Sequence, residues 1–430
     1  MQRRPSGVRR VTVVGLASAL VLLLAACTPY ASGTARVPDQ VAGGFSSDVT
    51  AKLTDAVTDA VKQSGSTAAM VGVWAPWAGS WTAGIGTTAV KGTTPVTPNM
   101  GFRIAENTMP MTCSVLLSMV DDGKVELDDP VTKYVPGFVG VSGVTLRELC
   151  QHTSGIGDYV PQLRANFIAN PTREWPALEL VSDGLATKPY GTPGQKFGQS
   201  SAGYILLGMA LQNAAGKSWK DLYAQYVFNR LGMNSSSFPA SGDLTVPGPH
   251  PAGYQSPLNG AGQPLCTQPV TDVSMLSPSM GWTAGGVISN VPDLKSFVQA
   301  LASGSLLTEK SAAEQDKSLA IGSQWHRYGL GMLQLGPLRG SVGAMPGSLS
   351  AMFSDPSSGL TIVVALNNST PGPGYVQALA QRLASIVAKV PAKKAGAKVV
   401  ASLPWSEKQQ VALLATYAPC APKAAPAKKK

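Results

Sequence analysis

Residues 101–137 read GFRIAENTMPMTCSVLLSMVDDGKVELDDPVTKYVPG, and this stretch constrains the fold more than any other in the chain. Met111 to Val120 is an apolar run of helical character, and Asp121, Asp122 and Gly123 stop it. Pro110 lacks a backbone N–H and fits only the first turn of a helix, where that donor has no intrahelical partner anyway. The helix is therefore expected to start near Asn107 or Thr108, which leaves Glu106 at its N-terminal mouth.

The chain has 430 residues, 44% hydrophobic and 13% charged, ample for one large core or two subdomains. Its net charge of +10 sits at the two ends. Arg3, Arg4, Arg9 and Arg10 precede residue 27, and nine Lys against one acid, Glu407, lie from Lys389 onward. The body between holds 21 basic and 23 acidic residues, so a nucleic-acid surface is not indicated. His152, His250 and His326 stand apart without metal-ligand spacing, and neither a metal site nor a cofactor is expected.

Residues 1–27 read as a targeting segment. An Arg-rich start is followed by an apolar run from Val11 to Ala26, shorter than the span of about 20 residues that a membrane helix needs. Leu24-Ala-Ala-Cys27 then resembles a bacterial lipobox, with cleavage before Cys27 and lipidation of its sulfur. The expectation is export and lipid anchoring to the outer face of the bacterial cytoplasmic membrane, and Arg9-Arg10 leaves the twin-arginine route open. Residues 28–45 read as a flexible Pro/Gly/Ser/Ala tether. A helix is expected from Ser46 or Ser47 through Val61, then a hairpin of strands Ala68–Ala75 and Ser80–Gly86. Strands are expected at Ser348–Phe353 and Leu360–Leu366, and a helix at Tyr375–Ala388. Residues 389–430 read as a basic Ala/Pro/Lys-rich tail, disordered apart from a short helix at Ser406–Tyr417.

The stretch around Glu106 resembles the serine β-lactamase and penicillin-binding protein family, near its class C and D-alanyl-D-alanine peptidase branch. That family opens the helix with Phe-Arg-Ile-(Gly/Ala)-Ser-x-Thr-Lys and follows it with Gly-Lys-(Leu/Val)-x-Leu-Asp-Asp-Pro-Val. Further blocks keep the family's order: VTLRELCQHTSGIGDY at 144–159, GTPGQKFGQSSAGYILLG at 191–208, AGGVIS at 284–289, YGLGM at 328–332 and GSVGAMPG at 340–347. The resemblance implies an α/β (α+β) fold of the β-lactamase/transpeptidase type over residues 46–388. An antiparallel sheet would be flanked by helices and joined by a mostly helical subdomain.

The reacting positions depart from that pattern. The family's nucleophilic Ser falls at Glu106 and its Lys at Met109. Residues three apart on a helix share a face, so Ser-x-x-Lys is a nucleophile with its base built in. A carboxylate and a thioether can do neither job. No other Ser-x-x-Lys occurs, and Thr88-Ala-Val-Lys91 lies in a loop stretch. The family's Tyr and Asn fall at Gln199 and Ser201, and the charged or imidazole residue of its third signature falls at Ser341. Gln cannot ionise, so it cannot relay a proton. Gly343 keeps the close backbone approach, and the Ala344 amide would be one of the two oxyanion donors. The resemblance thus marks Glu106, Gln199, Ser200, Ser201, Ser341, Gly343 and Ala344 as the cleft, with no catalytic residue expected. His152 is read as a hydrogen-bonded structural histidine.

Besides Cys27, the chain has Cys113, Cys150, Cys266 and Cys420, which in an exported protein suggest two disulfides with three possible connectivities. The resemblance brings the elements carrying Cys113 and Cys150 near each other, which implies that pair and leaves Cys266–Cys420 to pin the tail.

The functional reading carried forward is a pseudoenzyme: a lipid-anchored envelope protein that binds a peptidoglycan fragment, an anionic envelope polymer or an envelope protein without acylating. Glu106, held by N–H groups at a helix N-terminus, would be able to fill the oxyanion hole. One alternative is a rewired peptidase, esterase or β-lactamase-related hydrolase with Glu106 as general base, although the sequence shows no second acid in the cleft. The other is a structural protein acting through its basic tail and lipid anchor.

Overall fold

Ala68–Ala75 (AAMVGVWA) and Thr361–Leu366 (TIVVAL) are apolar on both sides of the pleat, the pattern of strands covered on both faces. In the computed structural model, which describes residue 2 and residues 37–420, these two segments pair antiparallel from Ala69↔Leu366 to Trp74↔Thr361. They lie inside an eight-stranded sheet. In chain order its strands are β1 (Ala68–Ala75), β2 (Gly79–Gly86), β3 (Leu319–Ala320), β4 (His326–Tyr328), β5 (Leu333–Leu335), β6 (Leu338–Met345), β7 (Ser348–Ser354) and β8 (Thr361–Leu366). The spatial order is β2-β1-β8-β7-β6-β5-β4-β3, with every neighbouring pair antiparallel.

Because side chains alternate along a strand, each face feeds a different core. Val71, Val73, Phe353, Ile362 and Val364 pack with helices α1 (Ser47–Ser64) and α6 (Pro373–Val387). Met70, Met352, Val363 and Ala365 point the other way, toward α2 (Thr108–Asp121), α5 (Val291–Ser303) and the mostly helical half. That half includes α3 (Leu146–Cys150) and α4 (Ser201–Ala215), whose Ile205, Leu206 and Leu207 are fully buried. The fold is thus the expected α/β arrangement, with an antiparallel sheet between helices. Cys113 of α2 bonds to Cys150 of α3, and Cys266 to Cys420, each with S–S 2.04 Å.

Two expectations at the ends need correction. The first part of the tail is ordered: Val400, Trp405 and Leu414 are buried, and Trp405 Nε1 donates to Gln381 O at 3.1 Å. Helix α7 (Glu407–Tyr417), capped by Ser406, packs against α6. Composition hid this, because a few apolar residues and one disulfide fasten a Lys-rich segment. Residues 37–45 of the expected tether are also bonded to the body, through Val41 N–H to Pro76 O at 3.0 Å and Gln40 Nε2 to Ala75 O at 3.1 Å. The targeting segment with Cys27, residues 28–36 and residues 421–430 lie outside the described residues. Among the described residues no helix is long and apolar enough to cross a membrane.

Candidate functional site

The site is built around one tight turn. Ala105 adopts φ +50°, a left-handed conformation that costs a non-Gly residue roughly 1–2 kcal/mol. It opens the 3₁₀ turn Ala105–Asn107, which runs directly into α2. Strand β7 fastens the turn from behind. Ser348 Oγ donates to Arg103 O at 2.6 Å, Ser350 Oγ donates to Ile104 O at 2.8 Å, and Asn107 Nδ2 donates to Ser350 Oγ at 2.8 Å. Strand β6 closes on the front. A Cβ at Gly343 would lie 2.4 Å from Ile104 O and 2.9 Å from Glu106 N, so only glycine allows the strand this close. β5 pairs with β6 only over Leu338–Gly340, which leaves that edge free of strand pairing from Ser341 onward.

On that edge the Ala344 N–H donates to Glu106 Oε2 at 2.7 Å. The Glu106 carboxyl also interacts with its own backbone N–H. The carboxyl group therefore sits on the Ala344 amide, which by the sequence resemblance would be one of the two oxyanion donors. Burial pushes the Glu106 carboxyl up from its ordinary value of 4.5 to about 7, against the opposing pull of those two N–H groups and with a further push from Asp158. The stabilisation expected from N–H groups at the helix mouth is present but is outweighed by desolvation. By accessible surface Glu106 is half-buried, since a hollow reaches it on either side.

Those hollows sort the expected cleft residues. On one side a small hollow of about 50 Å³ is lined by Glu106, Tyr159, Ser201 and Ala344. On the other a cavity of about 340 Å³ is lined by Glu106, Met109, Gln199 and Ser341, together with His152 and His326. Ser200 joins neither. It caps α4, accepting from Gly203 N–H at 3.0 Å and donating to Gly157 O at 2.8 Å, so its place in the cleft is corrected to a structural one. His152 is fully enclosed and accepts from the Ser200 N–H at Nδ1, 3.1 Å away. Desolvation holds its pKa down to about 3.

Sequence reasoning missed a second acid. Asp158 accepts from Ser201 N–H at 3.1 Å and Val160 N–H at 3.4 Å, and burial raises it from 3.8 to about 6. It lies in the block 144–159, read as scaffold, and no local spacing signals its approach to a residue 52 positions away. Among the described residues no group of three His, Cys, Asp or Glu side chains is arranged to hold a metal ion.

An antiparallel sheet with helices on both faces, a strained turn opening a buried helix and an edge strand against that turn define the serine β-lactamase and penicillin-binding class of architecture. The Beta-lactamase family model matches residues 53–386, and the chain belongs to that family. A D-stereospecific amidohydrolase from Streptomyces sp. is 26% identical and superposes with a TM-score of 0.65 over 75% of this chain and 94% of its own. An octameric penicillin-binding protein homologue from Pyrococcus abyssi, 22% identical, shares the fold with a TM-score of 0.66 over 80% of this chain and 79% of its own. Among curated proteins, the D-alanyl-D-alanine-carboxypeptidase/endopeptidase AmpH of Escherichia coli (strain K12) is 33% identical over 147 residues, 33% of this chain and 37% of that protein. Two Bacillus subtilis relatives are likewise covered only in part, over 63% and 31% of their lengths.

Proposed function

We propose that this chain is an exported, lipid-anchored envelope protein that keeps the β-lactamase fold without its acylation chemistry, and that its cleft binds an envelope ligand reversibly. One observation carries the reading: the Ala344 N–H bonded to Glu106 Oε2 at 2.7 Å. The group at the attacking position is a carboxyl, a poor acyl-transfer nucleophile, and it already uses donors that would hold a substrate's oxygen. Met109 supplies no base beside it, and Gln199 and Ser341 supply no ionisable partner. The names of AmpH and the Streptomyces amidohydrolase point to D-alanyl peptides and D-configured amides, so a peptidoglycan fragment is the first ligand to try, ahead of an anionic polymer or an envelope protein. Intact mass of the purified protein after incubation with several β-lactams and a fluorophosphonate tests this. No adduct on folded protein is expected, and a stable, mappable adduct would overturn the proposal.

A second reading has one observation in its favour. Burial raises the Glu106 carboxyl to about 7 and that of Asp158 to about 6, which brings both into the range where a carboxyl can act as a general base at working pH. Glu106 would then activate a water rather than attack. Turnover of an ester or D-amino amide that vanishes in Glu106→Gln, with the fold retained, would select this reading over the first.

A further inference from the structure

The larger hollow beside Glu106 has a chemistry of its own. Its wall includes three rings, His152, Phe197 and Tyr328, with centroids 5.1–5.5 Å apart and mutual tilts of 44–85°. Of the three, Phe197 is the ring that is only half-buried, and an aromatic face carries negative quadrupole potential that attracts cations within about 6 Å. No Lys or Arg lines the cavity. Its two imidazoles are disfavoured as cations by burial, and the Tyr328 phenol is held neutral by the same cause. The Glu106 carboxyl is therefore the one lining side chain able to carry charge near neutral pH, and that charge is negative. Gln199 and Ser341 add neutral polar groups, and Ile321, Leu333 and Val342 add apolar surface.

From this juxtaposition we infer that the cavity of about 340 Å³ bounded by Glu106, Phe197, Tyr328 and His326 is a binding site for a small ammonium-bearing molecule. The ammonium group sits between the carboxylate and the half-buried Phe197 ring, and the neutral remainder of the ligand lies toward Ile321 and Val342. The inference rests on the reversible-binding function proposed above and narrows it to a ligand class. A cation beside Glu106 also favours its ionised form, which is the better acceptor for the Ala344 N–H, so ligand and turn stabilise each other. The groups facing Glu106 are the Ala344 amide of β6, Asp158 and Tyr159 of the 158–159 segment, Met109 of α2, and His152, His326 and Tyr328 across the cavity. Only Asp158 titrates near it, so affinity is expected to rise with pH through the window around 6 to 7.

Calorimetric titration of the whole protein with choline, and with 3,3-dimethylbutanol as its uncharged carbon isostere, tests the inference. Choline is expected to bind at pH 8 at least about tenfold more tightly than the isostere, the margin a desolvated cation–π contact with a carboxylate supplies. Glu106→Gln, which keeps the size and an acceptor for Ala344, is expected to remove that preference. Phe197→Leu, at the half-buried ring, is expected to weaken choline and leave the thermal melt nearly unchanged. Equal binding of choline and the isostere would overturn the inference, leaving an ordinary apolar hollow. Absence of choline binding by folded protein would overturn it too, while the reading of a silent cleft would stand or fall separately on the mass measurement.

Discussion

His152 and Glu106 line the same cavity, and burial acts on them in opposite ways. The imidazole loses its charge and little else, because it is neutral at working pH anyway and its Nδ1 is satisfied by Ser200 N–H. The carboxyl is pushed to about 7 while holding two backbone donors that prefer it ionised. Desolvation penalises charge at both positions, but only at Glu106 does that penalty fall inside the physiological range. One residue is settled scaffold, and the other is a poised group in the place where the family's chemistry would be.

The contrast can be broken most strongly at the histidine. His152→Ala removes a fully buried ring and leaves the Ser200 N–H without its acceptor, and is expected to cost about 3–4 kcal/mol in urea denaturation at pH 8. The pH dependence separates the two residues further. His152 has a depressed folded pKa, so its contribution is present above the unfolded value of 6.5 and is lost as pH falls toward about 3. Glu106 has a raised one, so the native state holds an extra proton between 4.5 and about 7, and stability falls as pH rises through that window. The two slopes oppose each other where the windows overlap, and removing the histidine should expose the falling limb.

Next in size is Glu106→Gln. At pH 8 it is expected to raise stability by about 1–3 kcal/mol, the range discounted because water reaches the carboxyl through both hollows, and to gain nothing at pH 4. A loss at pH 8 would mean that the ionised carboxylate is worth more to the turn than its desolvation costs. Gly343→Ala is expected to cost about 2 kcal/mol in the same denaturation experiment, since backbone atoms at 2.4 and 2.9 Å must yield to the new methyl. Its diagnostic signature is an altered Glu106 titration, because β6 moves away from the carboxyl. The smallest effect belongs to Asp158→Asn, which should lower the Glu106 midpoint by a fraction of a unit in a carbon-13 carboxyl titration. Asp158 is the least of the causes acting on Glu106, after burial and the two amides.

Much of this molecule was legible as local pattern. Pro110 and the apolar run after it placed α2 at Thr108–Asp121, with Glu106 at its mouth. The hairpin expected at Ala68–Ala75 and Ser80–Gly86 is β1 and β2, and Ser406 caps the helix expected from that residue. The resemblance also implied the pairing of Cys113 with Cys150 that the fold displays. Other features required contacts between distant parts of the chain. Ser200 is a serine in a cleft motif by spacing, yet its hydroxyl is consumed by Gly157 and Gly203. The Lys-rich segment after 389 has a disordered composition, yet Trp405 and the Cys266–Cys420 bond fasten it.

The sequence by itself determined which side chains stand at positions 106, 109, 199 and 341, because residue identity is written in the chain and no fold can turn Glu106 into a hydroxyl or Met109 into an amine. It could not determine what Glu106 does instead. That depended on Gly343 letting β6 approach the turn, on the Ala344 N–H meeting the carboxyl at 2.7 Å, and on Asp158 arriving beside it. A proton affinity is set by the burial, donors and charges within a few ångströms, and those neighbours are brought together by the tertiary fold from segments that lie far apart along the chain.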